Sequence, residues 1–137
     1  TLFSSSFPPV MAVTPLEIMR SLAENGEVLE GAEGDSRFVA GAPGDQMFGL
    51  LEGTVDLSWN DHAFHEQIQA GDVFGAGALV TPGHCRYGEA TAVTACRLLV
   101  MNREKFLFAV QETPMFAIEL LGSIDQRLRH LKDCTRL

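Results

Sequence analysis

Residues 74–88 read Phe74-Gly75-Ala76-Gly77-Ala78-Leu79-Val80-Thr81-Pro82-Gly83-His84-Cys85-Arg86-Tyr87-Gly88. The stretch opens on small residues, contains a single arginine, and lies between runs with strand periodicity. Two glycines let the backbone come close to a ligand, and Ala76–Val80 has the composition of one helical turn whose first amides face an anion. Arg86 adds a planar fork suited to the same anion. On composition alone the stretch is either an anion site or only a turn.

Working outward, residues 28–102 consist of short apolar runs broken every eight to twelve residues by glycine, often as Gly-Asp: Gly34-Asp35, Gly44-Asp45, Gly71-Asp72. That spacing indicates an antiparallel sandwich, roll or barrel. Met47–Leu51 runs into a turn at Glu52-Gly53. Val55, Leu57 and Trp59 alternate before a turn at Asn60-Asp61, and Phe64, Glu66 and Ile68 share a face on the returning strand. Strand patterns resume at Glu89–Ala95 and Arg97–Met101.

Helical signals flank this β region. Thr14-Pro15-Leu16-Glu17 carries an N-cap hydroxyl, a first-turn proline and a capping-box glutamate, with Leu16, Met19 and Leu22 inward and Gly26 closing the helix. Residues 1–13, with Ser4-Ser5-Ser6 and Pro8-Pro9, show no period and read as a flexible arm. Glu104–Val110 reads as a short helix, and Thr113-Pro114 starts a longer one. Along the latter Ala117, Leu121, Ile124, Leu128 and Leu131 step by four, three, four, three, the spacing of a coiled-coil seam or of a stripe packed on the roll.

The chain has 137 residues and a net charge of −8. That length suits one domain, spanning residues 14–137, with no need for disulfide staples. Residues 1–96 carry three arginines (Arg20, Arg37 and Arg86) against thirteen carboxylates, whereas residues 97–137 carry seven Lys or Arg against five. An acidic body repels phosphate backbones, which argues against nucleic-acid binding through this domain and makes Arg86 conspicuous. Three cysteines without a C-x-x-C pair (Cys85, Cys96 and Cys134) suit a reducing cytoplasm. No apolar run is long enough to span a membrane and no signal peptide opens the chain. The chain begins without methionine, so either Met11 is the natural start or the N-terminus is trimmed. His62 and His65, three apart on a strand, face opposite sides and do not converge on a metal. His84 and Cys85 have no third ligand nearby. No nucleophile elbow, P-loop, H-E-x-x-H or paired catalytic carboxylate is present, so no enzymatic activity is expected.

Several blocks together resemble the cyclic-nucleotide-binding domain of the catabolite activator protein class, from about Arg37 to Leu131. They are Gly41-Ala42-Pro43-Gly44-Asp45-Gln46-Met47-Phe48 with Leu51-Glu52-Gly53-Thr54-Val55, Ala70-Gly71-Asp72-Val73-Phe74-Gly75 with Ala78-Leu79, Arg86, Ala92, Arg103-Glu104-Lys105-Phe106, Pro114 and Arg127-Leu128. The resemblance implies an antiparallel β-roll, jelly-roll-like with the topology of a double-stranded β-helix, over about 28–102, with an N-terminal helix and C-terminal helices over about 103–133. It also implies a phosphate-binding cassette at Gly75, Ala76, Gly77, Ala78, Arg86 and Tyr87, with Arg86 as its anchor.

The departures are as informative. Ala76 stands where the family has a glutamate that accepts from the ribose 2′-hydroxyl. Tyr87 stands where a small or hydroxylic residue is usual, and His130-Leu131-Lys132 does not repeat the polar residues that meet adenine.

The reading is therefore a stand-alone, cytoplasmic sensor that takes cyclic AMP, cyclic GMP or a related small phosphate ligand, needs no cofactor or metal, and is a homodimer through Leu121, Ile124, Leu128 and Leu131. The family's transcription factors place a helix-turn-helix domain after the long helix, for which this sequence leaves no room, so the domain either acts through a partner or a homodimer or is a fragment of something longer. The alternative is a degenerate domain that binds no nucleotide and docks a protein partner through its helices.

Overall fold

A computed structural model of the protein describes residues 14–22 and 28–134. The arm over 1–13 and the helix stop at Gly26 lie outside the described residues. The element order is α1 (Pro15–Leu22), β1 (Val28–Gly31), β2 (Ser36–Phe38), β3 (Gln46–Glu52), β4 (Thr54–Trp59), β5 (Phe64–Gln69), β6 (Val73–Phe74), α2 (Gly77–Val80), β7 (Glu89–Ala92), β8 (Cys96–Asn102), α3 (Arg103–Glu112) and α4 (Pro114–Cys134). The strands form two antiparallel four-stranded sheets, ordered β1-β8-β3-β6 and β2-β7-β4-β5. This is the β-roll with flanking helices.

Strand periodicity decides how the core divides. On β8, Leu98 and Val100 enter the space between the sheets with Phe48, Leu50, Val55, Ile68 and Phe74. Leu99 and Met101 point the other way and join Leu16, Met19, Phe106, Phe116 and Leu120 of the helices. Successive side chains on a strand face opposite sides, so one continuous apolar run serves two cores. The first sheet is thereby buried on both faces, between the second sheet and the helices.

The caps form as their sequences indicate. The Glu17 amide donates to Thr14 Oγ1 at 3.2 Å, and the Lys105 amide donates to Oδ1 of Asn102 at 2.8 Å at the start of α3. The strand expected over Glu89–Ala95 stops at Ala92. Thr94 ends it, because its hydroxyl accepts from the Thr54 amide at 3.0 Å and holds the turn against β4.

The turn after β4 corrects the histidine reading. Asn60, Asp61 and His62 all have positive φ, so His62 sits in the turn rather than on a strand. Its ring lies 6.5 Å from that of His65 instead of across the sheet. Each ring is engaged locally: His62 Nε2 is 3.2 Å from Glu89, and His65 Nδ1 is 2.8 Å from Asp56. The hydrogen bond to Asp56 raises the His65 pKa above the ordinary imidazole value. Among the described residues no group of three or more His, Cys, Asp or Glu is placed to hold a metal.

α4 packs on the roll through Phe116 and Leu120, not through the four-three stripe. Leu121, Ile124 and Leu128 are 66%, 42% and 47% exposed. No single described helix is long and apolar enough to cross a membrane. Phe116 is fully buried and meets Phe106 edge-on at 6.0 Å. Replacing it with alanine should cost about 3–5 kcal/mol by urea denaturation, as for other buried phenylalanines, and free α4 from the roll.

Candidate functional site

β6 ends at Phe74, and Gly75 then turns with φ of +85°, a conformation that L side chains resist. The turn directs the Gly75 carbonyl at the Arg86 guanidinium, whose Nη1 donates to it at 2.7 Å. α2 follows as the single helical turn expected there. It begins at Gly77, with Ala76 as an N-cap that has no side-chain hydrogen bond. Thr81 closes it by donating from Oγ1 to the Gly77 carbonyl at 2.9 Å, and His84 Nδ1 ties the next loop to the Ala78 carbonyl at 2.8 Å.

The backbone of Arg86 is gripped by the 41–44 turn. Its amide donates to the Ala42 carbonyl at 2.7 Å, and its carbonyl accepts from the Gly41 amide at 2.8 Å. The side chain is then committed inward. It is 7% exposed, donates from Nη2 to the Gln46 carbonyl, and lies with its guanidinium carbon 4.2 Å from the centre of the Phe38 ring. A Cβ on residue 44 would come within 2.2 Å of Arg86 Nε, so only glycine lets the arginine pass.

This cation lacks a counter-charge. Among the described residues Arg86 forms no ion pair, and its buried Nε has no hydrogen-bond partner. Burial lowers its pKa from the ordinary arginine value, and the Asp45 charge pulls the other way. An arginine stays charged in a protein regardless. A buried guanidinium without an anion is a costly arrangement that a bound anion would relieve.

Arg86 forms part of the wall of a cavity of about 370 Å³ at the mouth of the roll. That volume lies in the range of small-molecule sites, roughly 300–1,000 Å³. Of the residues singled out in the sequence, Gly75, Gly77, Ala78, Arg86 and Tyr87 line it. Ala76 does not. Its methyl is buried in the helix-side core and walls the adjacent groove beneath α4. Tyr87 is 84% exposed at the rim, so its bulk does not fill the cavity.

Other walls were not picked out as site residues in the sequence. Phe38, Leu57 and Trp59 supply apolar surface, and Glu66, Arg127 and Leu131 close the side under α4. Arg127 binds Glu66 through two parallel hydrogen bonds, Nε to Oε2 at 2.8 Å and Nη2 to Oε1 at 2.9 Å. Its Nη1 donates to the Val73 carbonyl at 3.1 Å. The signal for Glu66 was present as a carboxylate between Phe64 and Ile68 on an inward-facing set. Leu131, expected in a dimer seam, is half-buried and also lines the cavity.

Known proteins resemble this chain in sequence and fold. The family model described as the cyclic nucleotide-binding domain matches residues 30–113. A CRP-like cAMP-activated global transcriptional regulator of Mycobacterium tuberculosis is 25% identical over 113 residues, which is 80% of this chain and 50% of that protein. The chain thus spans about half the length of the curated relatives it matches. A chain solved in work on a cyclic-GMP-dependent signalling pathway that regulates bacterial phytopathogenesis is 29% identical. It superimposes with a TM-score of 0.73 over 87% of this chain and 98% of its own length. The catabolite activator protein of Thermus thermophilus, 21% identical, superimposes with a TM-score of 0.70 over 93% of this chain and 58% of its own, and shows the same fold.

The sequence alone suggests that Arg86 can be removed with little loss of fold. The two carbonyl contacts change that expectation. Arg86→Ala leaves the Gly75 and Gln46 carbonyls without donors and strips a face from Phe38. It should lower stability by about 2–4 kcal/mol in urea denaturation, within the range of unsatisfied buried groups.

Proposed function

The chain belongs to the cyclic-nucleotide-binding domain family, and from that membership we propose that it is a regulatory ligand-sensing domain that binds cyclic AMP or cyclic GMP without transforming it. The observation that carries the proposal is the uncompensated Arg86 guanidinium in the wall of the cavity. A cyclic phosphate supplies the missing negative charge in a small, singly charged form. The apolar walls Phe38, Leu57 and Trp59 then suit the flat face of a purine.

The ligand is chosen on chemistry. Of the two arginines in the cavity wall Arg127 is already paired with Glu66, so a ligand carrying several charges would find only Arg86 to meet them, with Glu89 also in the wall. A single phosphodiester charge held at Arg86 avoids that conflict. No catalytic role follows from these residues: none is arranged as a nucleophile with its base. The cytoplasm, where cyclic nucleotides are made and the three free cysteines stay reduced, is the compartment we assign.

Assembly is part of the proposal. Leu121, Ile124 and Leu128 form an exposed apolar ridge on α4, and the reading is a homodimer through this ridge with Leu131 at its end. Two of the arginines beside the ridge are engaged within the chain. Arg127 is held by Glu66, and Arg129 by Asp125 at 2.8 Å within the same helix. Association therefore rests on apolar burial over a short seam, which makes it concentration-dependent. A second reading, a module that docks a protein partner, draws on Leu107, Phe108, Met115 and Ile118, exposed around the corner between α3 and α4.

Two outcomes are expected. Titration calorimetry with cyclic AMP and cyclic GMP should show binding of at least one, weakened at least tenfold in Arg86→Ala as charge-assisted hydrogen bonds are lost. Binding by neither nucleotide, in a folded parent, would favour the docking module. Sedimentation of the parent should show a dimer growing in with concentration, and Ile124→Glu should be monomeric throughout. A parent that stays monomeric at high micromolar concentration removes the dimer.

A further inference from the structure

The turn between β4 and β5 is strained, and two histidines hold it. Asn60, Asp61 and His62 take φ of 56°, 53° and 66° in succession, a left-handed run that L side chains resist. His65, opposite Ser58 in the register, braces that run. Its Nε2 lies 2.8 Å from the His62 carbonyl oxygen, and its Nδ1 lies 2.8 Å from Oδ2 of Asp56. A carbonyl and an ionised carboxylate only accept hydrogen bonds, so both ring nitrogens have to donate, and the imidazolium alone carries two N–H groups. A neutral ring would turn a lone pair toward one of these oxygens. The hydrogen bond to Asp56 raises the His65 pKa above its ordinary value, in line with this geometry.

The same turn supports the cavity. His62 Nδ1 is 3.1 Å from Oγ of Ser58, and its Nε2 is 3.2 Å from Glu89. Ser58 is buried, and Ser58, Trp59 and Glu89 all line the cavity that holds Arg86. Trp59 stacks on Phe64 across the hairpin, with 6.0 Å between ring centres. Besides Asp56, the titratable groups on the elements around His65 are Asp61 and His62 in the turn, Glu89 on β7, and Glu66 on β5, which Arg127 holds in the cavity wall. We propose that His65 is a proton-operated latch on the cavity wall. As a cation it clamps the His62 carbonyl and so keeps the His62 ring on Ser58 and Glu89; on losing its proton it frees the turn. The clamp is complete below the ordinary imidazole pKa and is lost as pH rises through the higher value His65 has in the fold. Glu89 then faces the cavity without its N–H partner and opposes an anion at Arg86.

Trp59 is the only tryptophan of the chain, so its fluorescence reports on the hairpin directly. Emission of the full chain without ligand, followed from about pH 5.5 to about pH 8.5, should change along a one-proton titration whose midpoint lies above the ordinary imidazole 6.5. Asp56→Asn should lower that midpoint by about half a pH unit, the scale of an exposed ion pair. His65→Gln should hold the high-pH emission of the parent throughout, and His62→Gln should still titrate. Emission that is flat in the parent, or a titration that survives in His65→Gln, overturns the latch. The link to the cavity, which rests on the proposed function, is read by calorimetry with cyclic AMP and cyclic GMP, since a cyclic phosphodiester keeps its single charge over this range. Affinity in the parent should fall by about twofold to fivefold across the titration and stay level in His65→Gln. An equal fall in both proteins overturns that link. A parent that binds neither nucleotide overturns the proposed function, and the fluorescence alone then decides the latch.

Discussion

A guanidinium buried without a carboxylate organises this molecule. Arg86 is held by carbonyls of β3 and of the β6 exit, and it rests on the Phe38 ring of β2. Those segments belong to both sheets. The same side chain proposed to hold the anion therefore also ties the two sheets of the roll together. Gly44 and Gly75 are consequences of its presence, the first because nothing larger fits beside Nε and the second because its carbonyl has to turn toward the charge. A ligand that neutralises Arg86 would act on this junction as well as on the cavity, which is a physical basis for sensing in a fold with few moving parts.

The second junction is the Glu66–Arg127 fork. α4 reaches the roll through Phe116 and Leu120 near its start, and farther along the fork fastens it to β5 and β6. Leu121, Ile124 and Leu128 are exposed along it, and Ile124 and Leu128 also wall the groove between α4 and the Val73–Gly77 segment. One helix thus carries both a part of the cavity wall and an exposed apolar ridge. Any shift of Arg127 on ligand binding would move both together, because a helix transmits displacement as a rigid body.

Much of the fold was legible because local rules and tertiary rules agree in it. Thr14-Pro15-Leu16-Glu17 caps a helix wherever it occurs, and Gly53, Gly71 and Gly75 mark turns because their conformations have positive φ. Where the two disagreed, the structure departed from the reading. The strand expected over Glu89–Ala95 ends early because Thr94 finds a partner forty residues away on β4. His62 leaves the strand because three consecutive residues of the hairpin turn take positive φ.

The sequence by itself determined the β-roll, its helices and the presence of a conspicuous arginine after a glycine turn, since each follows from periodicity, turn chemistry and charge within a short span. Only the tertiary structure decided what Arg86 touches, that Ala76 belongs to the core rather than to the cavity wall, that Leu131 lines the cavity, and that Glu66 is answered by Arg127. Those pairings join residues up to 61 positions apart. No period or local propensity reaches that far, because the energy that sets them comes from closing the sheets and docking the last helix, and it is absent until the chain has folded.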